Sequence, residues 1–238
     1  MGFDAVELCV RPGYQVEPDK IAADLPKAVR DLADMGLKVE SISTSNWLPS
    51  TVDIEACASA GVPMFRGLAM IGENEYLSTE ADIRKQIDDL LPVLMQNGVK
   101  LGIQNHCGKL VCNAMGLRHL IEDYDPKYIS AVWDPGHGAL HGEEIELALD
   151  IVWDHLGMVN LKNAYWSRAV DPESGEVTWP MVWTTGWDGK ASFPLIASEL
   201  KRRDWSGVLC LGATYTDASR MDELVKQDLD YAKSLFEG

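Results

Sequence analysis

Ile103-Gln104-Asn105-His106-Cys107-Gly108 closes an apolar run with two amides and an imidazole. The preceding Val99-Lys100-Leu101-Gly102-Ile103 reads as a buried strand, and a strand that only filled a core would end in turn residues. An imidazole titrates near neutral pH and can move a proton. Amides orient hydroxyl and carbonyl oxygens. The same placement recurs along the chain. Asp134 and His137 follow an apolar run in Trp133-Asp134-Pro135-Gly136-His137, and Asn160, Lys162 and Asn163 lie in Val159-Asn160-Leu161-Lys162-Asn163. Other runs end in Glu7 and Arg11, in Ser43, Ser45, Asn46 and Trp47, in Arg66, and in Thr214 and Tyr215. Plain structural roles compete with each of these: His106 as a strand cap, His137 as a turn residue after Pro-Gly, Asp134 as a structural carboxylate. Lys162 sits inside an apolar strand and needs a carboxylate, for which Glu7 is the candidate. His119, His141 and His155 fall in or beside helices and read as surface residues, and Cys107 reads as an inert thiol.

These residues need a frame that brings them together. Short apolar runs over 4–10, 37–44, 63–68, 99–105, 128–134, 158–162 and 207–212 are close to continuously apolar, as strands covered on both faces must be. Amphipathic stretches alternate with them over 19–35, 53–60, 80–97, 114–123, 143–156, 194–203 and 221–236. Ser50 before Asp53 and Thr79 before Asp82 suit N-terminal caps. Gly36, Gly61, Gly98 and Gly157 suit left-handed helix ends that lead into strands. Strand–helix alternation of this kind implies parallel strands joined by helical crossovers. No Pro/Gly/Ser linker divides the chain, so residues 1–238 are expected to form one α/β domain, a (β/α) TIM barrel. Seven βα units are visible where a full barrel has eight. Gly2 before the first strand looks like the end of a missing helix, so the barrel's first strand and helix are expected to be lacking, with a natural start upstream of Met1 as the alternative and Gly2 as a merely flexible start competing with both. In such barrels the strands' C-terminal ends share one mouth, so the polar residues above should meet around a small ligand. Trp166, Trp179, Trp183 and Trp187 lie in the long segment between the last two strands, which reads as a lid, a subunit contact or plain packing.

Bulk composition narrows the partners. The chain has 37 acidic against 21 basic residues, a formal charge of −16. A phosphate backbone needs a basic surface, so no nucleic acid is expected, and an anionic membrane surface is disfavoured too. There is no charged-then-apolar leader and no run long enough to span a bilayer. The five cysteines are scattered without a CxxC pair, which suggests neither a zinc knuckle nor a disulfide framework. A reduced, cytoplasmic setting is the expectation.

Gly2-Phe3-Asp4-Ala5-Val6-Glu7-Leu8, Gly36-Leu37-Lys38-Val39, Asp134-x-x-His137 and the Asn160-Leu161-Lys162-Asn163 strand, in that order, resemble the sugar phosphate isomerase/epimerase group of xylose isomerase-like TIM barrels. The resemblance starts at the family's second strand and implies one divalent metal, Mn²⁺ or Mg²⁺, held by Glu, Asp, His and Glu from four strand ends. Those positions fall here on Gln104, Asp134, Asn160 and Thr214, with Gly212 as the alternative for the last. Only Asp134 keeps its ligand, so a weakly bound metal is expected. The resemblance further implies proton transfer beside the carbonyl of a sugar, polyol or keto-sugar. Both family Glu positions are changed, which leaves His106, His137 and Lys162 as the expected catalytic groups. Glu7, Arg66, Asn105, Trp166 and Arg168 are the expected substrate-binding residues. A non-catalytic sugar-binding or assembly subunit, or a lyase or dehydratase on the same scaffold, remains as the alternative. The open barrel edge predicts cover from the terminal helix or from a homo-oligomer.

Overall fold

The computed structural model describes residues 1–72 and 75–236. In chain order the elements are β1 (Ala5–Val10), α1 (Ile21–Asp34), β2 (Lys38–Thr44), α2 (Thr51–Ala60), β3 (Met64–Leu68), α3 (Tyr76–Asn97), β4 (Lys100–Gln104), α4 (Ala114–Ile121), β5 (Ile129–Trp133), α5 (Pro135–Leu140), α6 (Ile145–Val152) and β6 (Leu156–Leu161). There follow β7 (Asn163–Trp166), β8 (Ala169–Val170), β9 (Val177–Thr178), β10 (Met181–Thr184), α7 (Phe193–Arg202), β11 (Val208–Leu211) and α8 (Met221–Phe236). Seven strands pair in the order β1-β2-β3-β4-β5-β6-β11, every ladder parallel. This is the nearly closed (β/α) barrel expected from the sequence, with helices as the crossovers.

Local chemistry sets the borders. Ser50 and Asp53 form a reciprocal capping box at α2, as their spacing predicts. Gly61 and Gly98 end α2 and α3 with φ of +73° and +65°, where a Cβ would strain the backbone. Two expected borders differ. Helix α3 begins at Tyr76 behind Glu75, so Thr79 lies inside it and caps nothing. Gly157 lies within β6, and its place is a matter of space: a Cβ there would stand 2.3 Å from Ser130 Oγ.

The core divides at the sheet. Outside it, Val10, Ile42, Phe65, Leu101, Ile103 and Trp133 belong to one large apolar cluster with the helices. Inside, Met64, Val132 and Met158, with Val208 and Cys210, plug the barrel floor. Gly102 faces this plug, where a Cβ would lie 2.6 Å from Val132 Cγ2. Polar inward residues stand above the plug, so the apolar floor sets the bottom of the cup.

Strands β1 and β11 are the two ends of the sheet, and apart from Val10 both are only half-buried. Val6, Leu8, Leu209 and Leu211 pack on the main core together with Tyr231, Leu235 and Phe236 of α8. Lys233 of α8 donates to the Gly2 carbonyl at 2.7 Å, so the last helix is tied to the start of β1. Among the described residues no helix is long and apolar enough to cross a membrane.

The long segment after β6 is two antiparallel ribbons, β7 with β10 and β8 with β9. The sequence reading left it without strands. Asn163 anchors it: the side chain donates to Gly186 O at 3.0 Å and Ala191 O at 2.9 Å, and accepts from Ala191 N at 2.8 Å.

Candidate functional site

Alternation along each strand puts Glu7, Ser41, Arg66, Gln104, Asp134 and Asn160 on the barrel's inner side. They form a lower tier that is closed on itself. Arg66 grips Glu7 with two parallel bonds, Nε to Oε2 at 2.7 Å and Nη2 to Oε1 at 2.6 Å, and Ser41 Oγ donates to Glu7 at 2.9 Å. Arg66 Nη1 donates to Gln104 Oε1. Gln104 Nε2 donates to Asp134 Oδ2 at 2.7 Å, and Asn160 Nδ2 donates to the same oxygen at 2.8 Å.

The amide orientations follow from their neighbours. A guanidinium has donors only, so the Gln104 atom facing it is the oxygen, and the nitrogen is left for the carboxylate. Asp134 also caps α5, its Oδ1 accepting from His137 N at 3.1 Å. Asn105 locks the turn from behind, donating to Asp134 O at 2.9 Å and accepting from Asp134 N at 2.7 Å. Asp134 is fully buried. Burial pushes its pKa up, against the pull of Lys162 and the bonds from His137, Gln104 and Asn160. Desolvation alone would lower the Arg66 pKa, but the Glu7 bonds outweigh it and hold the guanidinium charged.

The upper tier is the rim. The His106 and His137 rings lie 3.8 Å apart by centroid, tilted by 35°. His106 Nδ1 meets Cys107 O at 2.8 Å. A carbonyl only accepts, so the proton sits on Nδ1 and Nε2 keeps its lone pair. His137 is the converse: Nδ1 accepts from Cys107 N–H at 3.1 Å, which puts its proton on Nε2. Burial holds both imidazoles below the ordinary histidine pKa, with the Lys162 charge adding to it, so both rings are neutral at pH 7. Lys162 Nζ stands 3.5 Å from His137 Nε2 and 4.6 Å from the centre of the Trp183 ring. Trp183 meets His137 edge-on at 4.8 Å.

Several expectations change at this point. Glu7 pairs with Arg66, not with Lys162, because both its oxygens face β3. Asn105 is fully buried and spent on Asp134, so it is a structural pin and not a substrate contact. Asn163, on the next ribbon, is likewise structural. Gly212 faces Asn160: a Cβ at Gly212 would lie 3.0 Å from Asn160 Oδ1. Among the described residues Thr214 bonds neither Asp134 nor Asn160. Trp166 turns from the cup and donates to Leu140 O at 2.8 Å, and Arg168 is exposed between the ribbons without a bond to the cup. His155, expected at the surface, is buried, with Nε2 3.1 Å from Tyr124 O.

Three features escaped the sequence reading. Trp183, grouped with the other tryptophans, walls the rim. Helix α5, too short for a periodic signal, starts at Asp134 and swings His137 into the cup. Gly136 lets it pack, since a Cβ there would lie 2.7 Å from Lys162 O. Cys107 joins His106 and His137 in a group whose ligand-type atoms lie within 4.8 Å of one another. Burial raises the Cys107 pKa, and its thiol points to Met181 Sδ at 3.8 Å. Beyond Trp183 lies a groove of about 450 Å³ lined also by Trp187, Tyr215, Thr216 and Gln227.

A family model described as xylose isomerase-like TIM barrel matches residues 1–235. An inosose dehydratase of Mesomycoplasma hyopneumoniae (strain 7448) is 23% identical over 147 residues, 59% of this chain and 49% of that protein. The chain thus spans about half the length of the curated relatives it matches. Among solved structures, a D-psicose 3-epimerase with D-tagatose from Clostridium cellulolyticum H10 superposes with a TM-score of 0.74 at 12% identity, covering 99% of this chain and 90% of that one. The 3-keto-D-glucoside 4-epimerase from E. coli gives 0.73 at 12% identity, covering 98% and 100%. The probable 3-DHS dehydratase AsbF from Bacillus anthracis gives 0.69 at 14%, covering 96% and 88%. At such identities the structural likeness speaks for the fold.

Proposed function

The chain belongs to the xylose isomerase-like TIM barrel family, and from that premise we propose that it moves a proton on a carbon beside the carbonyl of a sugar, polyol-derived ketone or keto-sugar. The observation that carries this reading is the rim. One lone pair, on His106 Nε2, adjoins two donors, His137 Nε2–H and the Lys162 ammonium, which are 3.5 Å apart. His106 takes the proton. The charge that develops on the carbonyl oxygen is met by the half-buried Lys162 ammonium, with the fully buried His137 behind it and Trp183 beside it. His106 is half-buried and held below the ordinary histidine pKa by that burial, so it stays a free base at pH 7. The acid limb of the kcat/KM profile accordingly lies below the ordinary histidine value of about 6.5. Epimerases and dehydratases among the similar proteins act on small polyhydroxylated molecules by name, which supports the substrate class. The groove beyond Trp183 has the volume to take the far end of such a ligand.

No divalent ion enters this reading, because the donors around Asp134 do not fit one. Gln104 and Asn160 offer it N–H groups, and Gly212 offers nothing.

The test is exchange of substrate C–H for solvent deuterium, followed by NMR on a panel of ketohexoses, inososes and 3-keto-glucosides with chelator present. Wild type exchanges at least one of them, and His106→Gln slows the exchange by about 10²–10⁴-fold. Equal exchange in His106→Gln removes the base assignment. The loss of carboxylates at Gln104 and Gly212 favours a second reading, a sugar-binding subunit without turnover. It predicts calorimetric binding of a panel sugar with no exchange.

A further inference from the structure

We propose that Arg66 is the resident cation of this cup, bonded to Gln104 at the edge of the position where the resemblance puts a divalent metal, and that the cup excludes Mn²⁺ and Mg²⁺. The inference needs no turnover, so it stands or falls apart from the role given to His106. The guanidinium has five N–H donors and no acceptor. Two bonds go to Glu7, in the side-by-side geometry that holds an arginine firmly. Both side chains are shielded, at 17% and 13% exposure. A third bond goes to Gln104 Oε1, and this one has the long reach. It fixes which end of the Gln104 amide faces Asp134. The N–H end that remains donates to Asp134 Oδ2, and Asn160 donates to the same atom.

One carboxylate oxygen offers about two lone-pair directions, and both are used. The Asn160 oxygen faces the space at Gly212, where no carboxylate answers it. A divalent ion at Asp134 Oδ2 would have to displace two N–H bonds, turn both amides and break the Arg66–Gln104 bond. Its charge would share the cup with Arg66 and Lys162, while Glu7 is already neutralised by Arg66. Like charges this close in a shielded cup repel, and a divalent ion doubles the repulsion that a single charge would meet. Hard cations take oxygen ligands, preferably anionic ones. Asp134 alone is too little. Arg66 is a positioning residue, acting through Gln104.

The test is metal uptake by the full chain, by calorimetry and by the EPR signal of free Mn²⁺. Chelator-stripped wild type is expected to show no saturable uptake at about 1 mM Mn²⁺, and its Tm should not move between chelator and Mn²⁺. The double variant Arg66→Met/Gln104→Glu frees Glu7 and restores a second carboxylate. It is expected to take up one Mn²⁺ per chain, at least about tenfold more tightly than wild type. Stoichiometric uptake by wild type that is lost in Asp134→Asn would overturn the proposal. So would a double variant with wild-type circular dichroism that takes up none. If the double variant does not fold, the wild-type titration and its Tm decide alone, by the same criteria.

Discussion

Asp134 and His106 stand at the ends of neighbouring strands, yet their surroundings differ in what they leave unused. Around Asp134 every polar atom with a near neighbour has been given a partner: Arg66 to Glu7 and Gln104, Gln104 and Asn160 to Asp134, Asn105 to the turn. At the rim, His106 Nε2 keeps its lone pair beside the Lys162 ammonium and His137 Nε2–H, which stands 3.7 Å from Asp134 Oδ2. A buried polar group left unmade is expensive, so the lower tier is satisfied and stiff. Chemistry needs valences that the substrate can use, so the rim is where they are kept. Two floors of one cup thus divide shape from reactivity.

That division can be broken by experiment. The largest effect should fall at the rim and on rate: His106→Gln lowers exchange by about 10²–10⁴-fold while unfolding free energy moves by less than about 1 kcal/mol. A comparable loss of stability in urea would mean that the rim is structural as well. Next, Asp134→Ala leaves the His137, Gln104 and Asn160 N–H groups unanswered in a fully buried place. Unfolding free energy should drop by about 3–5 kcal/mol. A drop under about 1 kcal/mol would show that the lower tier is slack.

A third effect depends on pH. The His137 pKa is depressed in the fold, chiefly by burial, so its contribution is present above the unfolded value of about 6.5 and is lost as pH falls. The rate is about 1.4 kcal/mol per pH unit below that point. The raised Asp134 carboxyl works in the opposite sense and is common to both proteins compared. Urea midpoints of wild type should therefore decline more steeply than those of His137→Asn between about pH 6.5 and 5. Parallel slopes would mean that His137 takes a proton in the fold. The smallest effect is Trp183→Phe, which keeps a ring over Lys162 but weakens the cation–π contact. It should cost about 0.5 kcal/mol, and a tenfold loss of ligand affinity instead would place Trp183 on the substrate itself.

The frame was legible because its signals are local and periodic. Continuously apolar runs of Val, Ile and Leu marked the seven barrel strands, and Ser50, Gly61 and Gly98 marked helix ends by their backbone chemistry. The ribbons of 163–184 were not legible, since two- and four-residue strands carry no usable period. Helix α5 was missed for the same reason, and it decides where His137 points.

Within the cup, the strand-end position of Gln104, His106, Asp134, Asn160 and Lys162 told that they share one mouth. Partner choice was another matter. Glu7 was matched to Lys162 on chemistry alone, whereas Arg66, 59 residues away in sequence, holds it. The resemblance put the last ligand position on Thr214 with Gly212 as the alternative, and it is Gly212 that stands against Asn160.

By itself, the sequence determined the repeating strand–helix unit, the acidic surface and the kinds of polar side chain that end each strand, because each is encoded in residues a few positions apart. Only the tertiary structure decided which way each amide faces, which carboxylate Arg66 grips and which imidazole nitrogen is free. The first two depend on hydrogen bonds between groups dozens of residues apart, with the donor-only Arg66 setting the Gln104 amide, while the His106 tautomer follows from the neighbouring Cys107 carbonyl.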